Sequence, residues 1–211
     1  MKKLLVVSSI YNEEENVEEF VNEIYIQFEK FKKNLNFPLN LELILANNKS
    51  KDNSLEKMVS LKKKYSFLRV FDNSGNYGFD ISVLNILKNN LGDFILILCS
   101  DLEDPPKLGF EMLSELVNNK KLDACLALKR DSGFSILNFF RGIYYVMTSF
   151  STRTILVRGF HGFGAYKPTI ISNAIIYAKR ANPDIRKSLL WSIVNYKKYR
   201  YFKRTRKKGI S

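Results

Sequence analysis

At 211 residues, 45% hydrophobic and 26% charged, the chain is long enough to bury one substantial core and too apolar to be a disordered polymer. Its net charge of +13 is unevenly placed: twelve Lys and Arg lie from Lys179 onward against one acid, Asp184, while the first 178 residues are nearly neutral. No run of eighteen apolar residues exists to span a bilayer, and a single histidine, His161, excludes a His-rich metal site.

Leu4 to Ser9 reads as a short buried strand. The apolar run behind Met1-Lys2-Lys3 is too short for a secretory leader before Tyr11-Asn12-Glu13 begins. From Glu13 the period changes. Val17, Phe20, Val21, Ile24, Phe28 and Phe31 recur at three-to-four residue steps, which predicts an amphipathic helix with acids in its first turn. Leu41 to Ala46 predicts a second strand ending in the polar turn Asn47 to Asp52, and Met58 and Leu61 mark the next helix. Leu68 to Phe71 is a third strand. The loop Asn73 to Gly78 leads into a helix through Leu84 and Leu87 that breaks at Leu91-Gly92.

Next comes the most chemical segment of the chain. Phe94-Ile95-Leu96-Ile97-Leu98 predicts a fully buried strand that ends in Cys99-Ser100-Asp101-Leu102-Glu103-Asp104-Pro105-Pro106. Carboxylates two apart on an extended chain point the same way, so Asp101 and Glu103 suit one hard cation, while Asp104 is placed to serve the following helix. Proline at a first helical turn starts that helix, Pro106 to Asn118, and Ala124 to Leu128 is the fifth strand. Such β-α-β-α alternation argues a parallel, doubly wound sheet, with ligands at the carboxyl ends of its strands. Phe134 to Phe150 is rich in aromatics and suits either a core helix or one lying at a membrane or over the cleft. Gly159 to Gly164, with three glycines around His161, predicts a flexible covering loop, and His161 is expected to be structural rather than a catalytic base. Cys99 and Cys125 sit in apolar runs and are expected as reduced thiols in a cytoplasmic setting.

Four strand-end segments therefore meet at one edge: Ser9 to Glu13, Asn47 to Ser50, Asn76 to Gly78, and Cys99 to Pro106. In order and spacing the chain resembles family 2 glycosyltransferases of the GT-A fold, in particular their polyprenyl-phosphate branch. Ser8-Ser9-Ile10-Tyr11-Asn12-Glu13-Glu14-Glu15-Asn16 matches that branch's V-P-x-Y-N-E-E-E-N, and Ala46 to Asp52 its V-D-D-G-S-x-D. Gly75 to Phe79 stands for R-N-F-G-K without its Arg and Lys, Cys99 to Pro106 matches D-A-D-L-Q-D-P-P, and Arg206 to Ser211 matches the start of R-x-x-G-x-S-K-Y.

The resemblance implies an α/β, Rossmann-like, mostly parallel sheet flanked by helices, with a catalytic domain over residues 1–178. A basic segment over 179–211 would follow, of the kind that precedes membrane helices in relatives. It implies sugar transfer from a UDP- or GDP-sugar to a polyprenyl phosphate, with inversion, at the cytoplasmic face of an inner membrane. Tyr11, Asn12, Glu13, Asn47, Asn48, Asn76, Gly78 and Ser100 would border the nucleotide sugar. Asp101 and Glu103 would hold Mg²⁺ or Mn²⁺, a Lewis acid at the leaving diphosphate. Lys129, Arg130, Arg141, Arg206 and Ser211 would hold the acceptor phosphate, with Asp101, Arg130 and Arg141 carrying catalysis. A phosphate acceptor needs no general base, which suits a chain with one His and only Asp184 as an acid beyond Asp131.

The chain departs from the pattern at several points. Cys99 replaces an acid, Asn47-Asn48 replace two, Glu103 replaces an amide, and Arg158 to Gly164 lacks the acid and arginine of D-x-x-S-G-F-R. These leave a transferase using a saccharide acceptor, or a GT-A-fold binding protein impaired in turnover, as alternatives. Tyr196, Tyr199, Tyr201 and Phe202 among the basic residues also suit base stacking, but the basic tail suits an anionic membrane surface equally, which weighs against nucleic acid. Oligomeric state is left open by the sequence.

Overall fold

The structure is a computed structural model and describes residues 1–130, 157–180 and 184–204. Its centre is a seven-stranded sheet made of β1 (Lys2–Ile10), β2 (Leu39–Asn47), β3 (Leu68–Asp72), β4 (Phe94–Ile97), β5 (Ala124–Lys129), β6 (Phe160–Tyr166) and β7 (Tyr196–Tyr201). The strand order is β3-β2-β1-β4-β6-β5-β7. Around it lie α1 (Val17–Lys32), α2 (Ser54–Lys64), α3 (Gly78–Asn89), α4 (Pro106–Asn118), α5 (Pro168–Arg180) and α6 (Ile185–Ser192).

Alternation along the central strands explains the three layers. In β1, Leu4 and Val6 face one side and pack with Phe20, Ile24, Met58, Phe110 and Leu113 of α1, α2 and α4. Leu5 and Val7 face the other and pack with Val83, Leu87, Ile171 and Leu189 of α3, α5 and α6. Both faces of the strand are covered, so its residues read as a continuous apolar run rather than an alternating one. Pro106 opens α4 at its first turn, as the sequence predicts.

β1 pairs in parallel with β2 and β4, and β2 with β3, as the alternation predicts. The last third of the sheet differs from the sequence reading in two ways. Gly159 to Gly164 is not a flexible cover. Phe160–Tyr166 forms β6, an interior strand antiparallel to both β4 and β5. Its glycines serve close packing: a Cβ on Gly164 would lie 2.7 Å from the Cys125 carbonyl oxygen and 2.5 Å from the Tyr166 hydroxyl.

Nor does the basic segment stand apart from residue 179. That boundary falls inside α5, and β7 closes the sheet edge in parallel with β5, with Tyr201 buried in the core. Lysines along an edge strand are a common device against further strand pairing, so their charge gives no sign of a separate tail. Arg141, Arg206 and Ser211, and the aromatic stretch 134–150, lie outside the described residues. Among the described residues no helix is long and apolar enough to cross a membrane.

Candidate active site at the carboxyl edge of the sheet

Because β6 runs antiparallel between β4 and β5, the carboxyl ends of β1 to β5 and β7 share one edge, joined there by the start of β6. Loops at this edge carry the four predicted segments, and hydrogen bonds bind them to one another. The Asn12 N–H donates to Ser50 Oγ (3.1 Å) and Lys51 N–H to Asn12 Oδ1 (2.8 Å), with Asn12 in the left-handed region at φ 53°. Asparagine tolerates that conformation better than most residues. Glu13 N–H donates to Ser54 Oγ (2.8 Å), and the buried Glu13 carboxylate accepts from Asn16 Nδ2 (2.6 Å). A cleft of about 480 Å³ opens beside them, lined by Asn12 to Asn16, Lys51 and Asp52. Tyr11 stands exposed at its margin of the edge.

Asn47 and Asn48 are buried in the same mesh. Asn47 donates to Asp72 Oδ1 (2.7 Å) and accepts from Ser50 N–H (3.2 Å). Asn48 donates to Ser9 Oγ (2.6 Å) and accepts from Asn73 Nδ2 (2.8 Å) and the Ser82 hydroxyl. An amide that donates and accepts satisfies this cage in a way a carboxylate cannot, which gives the Asn pair a physical reason to stand where the resemblance has acids. Asn76 accepts from Gly78 N–H (3.0 Å) and shapes the start of α3, where Gly78 takes φ 74°. Ser100 Oγ donates to the Ser9 carbonyl (3.0 Å), tying the β4 loop to β1.

The acidic loop after β4 is turned on itself. Asp101 Oδ1 accepts from Glu103 N–H (3.1 Å) across Leu102, which is at φ 60°. Burial, and then the charge of Asp104, raise the Asp101 carboxyl above the ordinary range. Asp104 does not cap α4. It is fully buried and accepts from His161 Nε2 (3.1 Å), the Tyr201 hydroxyl and Cys99 N–H (3.4 Å). Burial opposes its ionisation, but the bonds from His161 and Tyr201 outweigh this and hold its carboxyl below the usual range. His161 is thus a hydrogen-bonding partner of Asp104. Glu103 forms an ion pair with Lys203, and its carbonyl accepts from Arg204 N–H (3.0 Å).

A divalent ion on Asp101 and Glu103 meets a poor donor set. Cys99 offers a soft thiol where a hard cation favours oxygen, and Lys203 occupies Glu103. Among the described residues no three His, Cys, Asp or Glu side chains gather closely enough to hold a metal. As folded, these residues do not fit a divalent ion.

Lys129 ends β5, Arg130 follows it, and with Leu128, Arg158 and Arg200 they line a second cleft of about 310 Å³. It adjoins the acidic loop through Tyr201, whose carbonyl accepts from Arg130 N–H (2.8 Å) while its hydroxyl reaches Asp104. Sequence reasoning missed Asp72, Arg200 and Lys203, and gave Arg158 and Tyr201 no part at this edge. Asp72 and Asn73 end a strand and were findable by the logic applied to the other strands. Nothing local to the tail marks Lys203.

This α/β/α sandwich, with polar loops gathered at the carboxyl ends of its strands, shares the GT-A fold of solved glycosyltransferases. A mannosyltransferase from Pyrobaculum calidifontis, in complex with GDP-Man and Mn²⁺, aligns over 94% of this chain and 55% of its own, at TM-score 0.59 and 15% identity. Glucosyl-3-phosphoglycerate synthase from Mycobacterium tuberculosis, in complex with Mn²⁺, UDP-glucose and phosphoglyceric acid, aligns over 99% and 73%, at TM-score 0.62 and 14% identity. The sequence profile described as glycosyl transferase family 2 matches residues 5–172, and the chain belongs to that family. An uncharacterized glycosyltransferase of Bacillus subtilis, YkcC, is 28% identical over 114 residues, 52% of this chain and 32% of its own. A dolichol-phosphate mannosyltransferase of Pyrococcus furiosus is 27% identical over 120 residues, 57% of this chain and 32% of its own. The aligned region thus spans about a third of these curated relatives.

Proposed function

We propose that this chain transfers a sugar from a UDP- or GDP-sugar to a polyprenyl phosphate, with inversion, at a membrane surface. The observation that carries the reading is that one sheet edge holds two clefts: one among the polar loops after β1 and β2, the other the cationic cleft of Lys129, Arg130, Arg158 and Arg200. Family membership and the dolichol-phosphate relative support it.

An acceptor phosphate oxygen attacks the anomeric carbon, the bond from that carbon to the donor diphosphate breaks, and the nucleoside diphosphate leaves with the bonding pair. No proton need be removed from the nucleophile, so no general base is required. Guanidinium forks at Arg130, Arg158 and Arg200 suit a phosphate, and clustered cations suit an anionic bilayer. A saccharide acceptor calls for a carboxylate base, and Asp184 is committed to capping α6, accepting from Arg186 N–H (3.0 Å) and Lys187 N–H (3.1 Å).

The test is to incubate the purified protein with radiolabelled UDP- and GDP-sugars and undecaprenyl phosphate, with and without Mn²⁺. Label extractable into organic solvent is expected, and less of it from an Arg130→Ala, Arg200→Ala double variant. A full donor panel that yields no such label refutes the reading.

A further inference from the structure

Resting on that reading of the sheet edge as a nucleotide-sugar site, we infer that Lys203 supplies there the positive charge that the family resemblance assigns to a divalent ion. Nucleoside diphosphates accordingly bind this chain without a metal.

Lys203 is placed by the fold rather than by chance. Tyr201 is the last residue of β7, in register with Lys129 of β5, and its hydroxyl is fixed on Asp104. Alternate residues of an extended chain point the same way, so two positions on, Lys203 turns toward the same acidic loop and meets Glu103. Phe202, between them, turns to the other side and lies against Arg130, 5.4 Å from guanidinium carbon to ring centre. The segment is pinned beyond Lys203 as well. Arg204 N–H donates to the Glu103 carbonyl (3.0 Å), and its guanidinium holds both carboxylate oxygens of Glu23 (3.1 and 3.2 Å).

The ammonium is therefore held over the loop of Asp101, Glu103 and Asp104, with about a quarter of its side chain exposed (28%), enough to meet a ligand. Its ion pair with Glu103 fixes the ammonium at this loop. Cys99 fits the same scheme, since a lysine needs no third carboxylate where a divalent ion gains from one. One ammonium offsets less charge than a divalent ion, and the adjoining cluster of Lys129, Arg130, Arg158 and Arg200 makes up the difference.

The experiment measures UDP and GDP binding calorimetrically in EDTA and in Mn²⁺, for wild type, Lys203→Met and Lys203→Arg. Mn²⁺ uptake without nucleotide is followed in parallel by the loss of its free-ion electron paramagnetic resonance signal. Wild type is expected to bind nucleotide in EDTA with an affinity that Mn²⁺ changes by less than about threefold. Lys203→Met is expected to bind at least about tenfold more weakly in EDTA and to take up Mn²⁺ more tightly than wild type, while Lys203→Arg keeps its affinity. Wild-type binding that disappears in EDTA and returns with Mn²⁺ overturns the inference. Equal Mn²⁺ uptake by wild type and Lys203→Met overturns it also, and needs no nucleotide. Failure of both nucleotides to bind under any condition instead refutes the donor-site reading, leaving the Mn²⁺ titration to decide the role of Lys203.

Discussion

Replacing Tyr201 with Phe isolates the linchpin of the site. The ring keeps its edge-on contact with Phe163, 5.6 Å between centres, so packing is preserved and only the hydroxyl is lost. That hydroxyl donates to a fully buried carboxylate whose other partners are His161 and the Cys99 N–H. A hydrogen bond to a charged group contributes about 1.5–3 kcal/mol, and its loss leaves Asp104 under-solvated. The expected cost is about 2 kcal/mol, or roughly 4–8 °C in Tm for a chain of this size. Urea unfolding followed by circular dichroism, with an unchanged m-value, is the assay. The pH dependence supplies the sign. Asp104 has a lowered carboxyl pKa in the folded state, so its contribution is complete above the unfolded carboxylate value and is lost as pH falls through the folded one. The difference between wild type and Tyr201→Phe should hold steady from neutral pH down to about 5 and shrink below about 4. A difference under about 0.5 kcal/mol at neutral pH, or one that grows on acidification, refutes the reasoning.

Three further outcomes are expected. Gly164→Ala should destabilise the protein by about 2–4 kcal/mol in the same urea assay, because the added Cβ meets the backbone of β5 at 2.7 Å; a neutral effect would mean that β6 is not interior. Asn48→Ala strands Ser9, Asn73 and Ser82 and should cost about 2–3 kcal/mol, whereas an exposed control such as Asn85→Ala should cost far less. Burial pushes the Cys125 thiol up to about 12 and the Cys99 thiol well above its usual value, so both should react slowly with a disulfide reagent at pH 8 and at the ordinary rate once urea unfolds the chain. Rapid native-state labelling of Cys125 would contradict its burial.

Periodicity made the first two thirds of the fold legible. Val17 to Phe31 could bury one face only as a helix, and Phe94 to Leu98, apolar throughout, only as a strand covered on both sides. β6 and β7 escaped because their composition argues locally for something else. Gly162 and Gly164 read as looseness, yet Gly164 is there because Tyr166 and Cys125 fill the space a side chain would need. The lysines of β7 read as a solvated tail, yet they decorate a sheet edge whose tyrosines face inward.

The candidate site divides along the same line. Strand-end polarity alone located Asn12, Asn47, Asn48, Ser100 and Asp101, because a strand that turns from apolar to polar in one residue has reached the edge of the core. Sequence thus determined which loops form the edge, what family they resemble, and that Cys99 stands where an acid is expected. Tertiary structure decided what those residues touch. It set Asp104 on His161 and Tyr201 rather than at the head of α4, and it brought Lys203 onto Glu103 across 100 residues of chain. Such pairings rest on strand order and register, which no local pattern encodes, and so the partners of Asp104 and Glu103 were settled only by the fold.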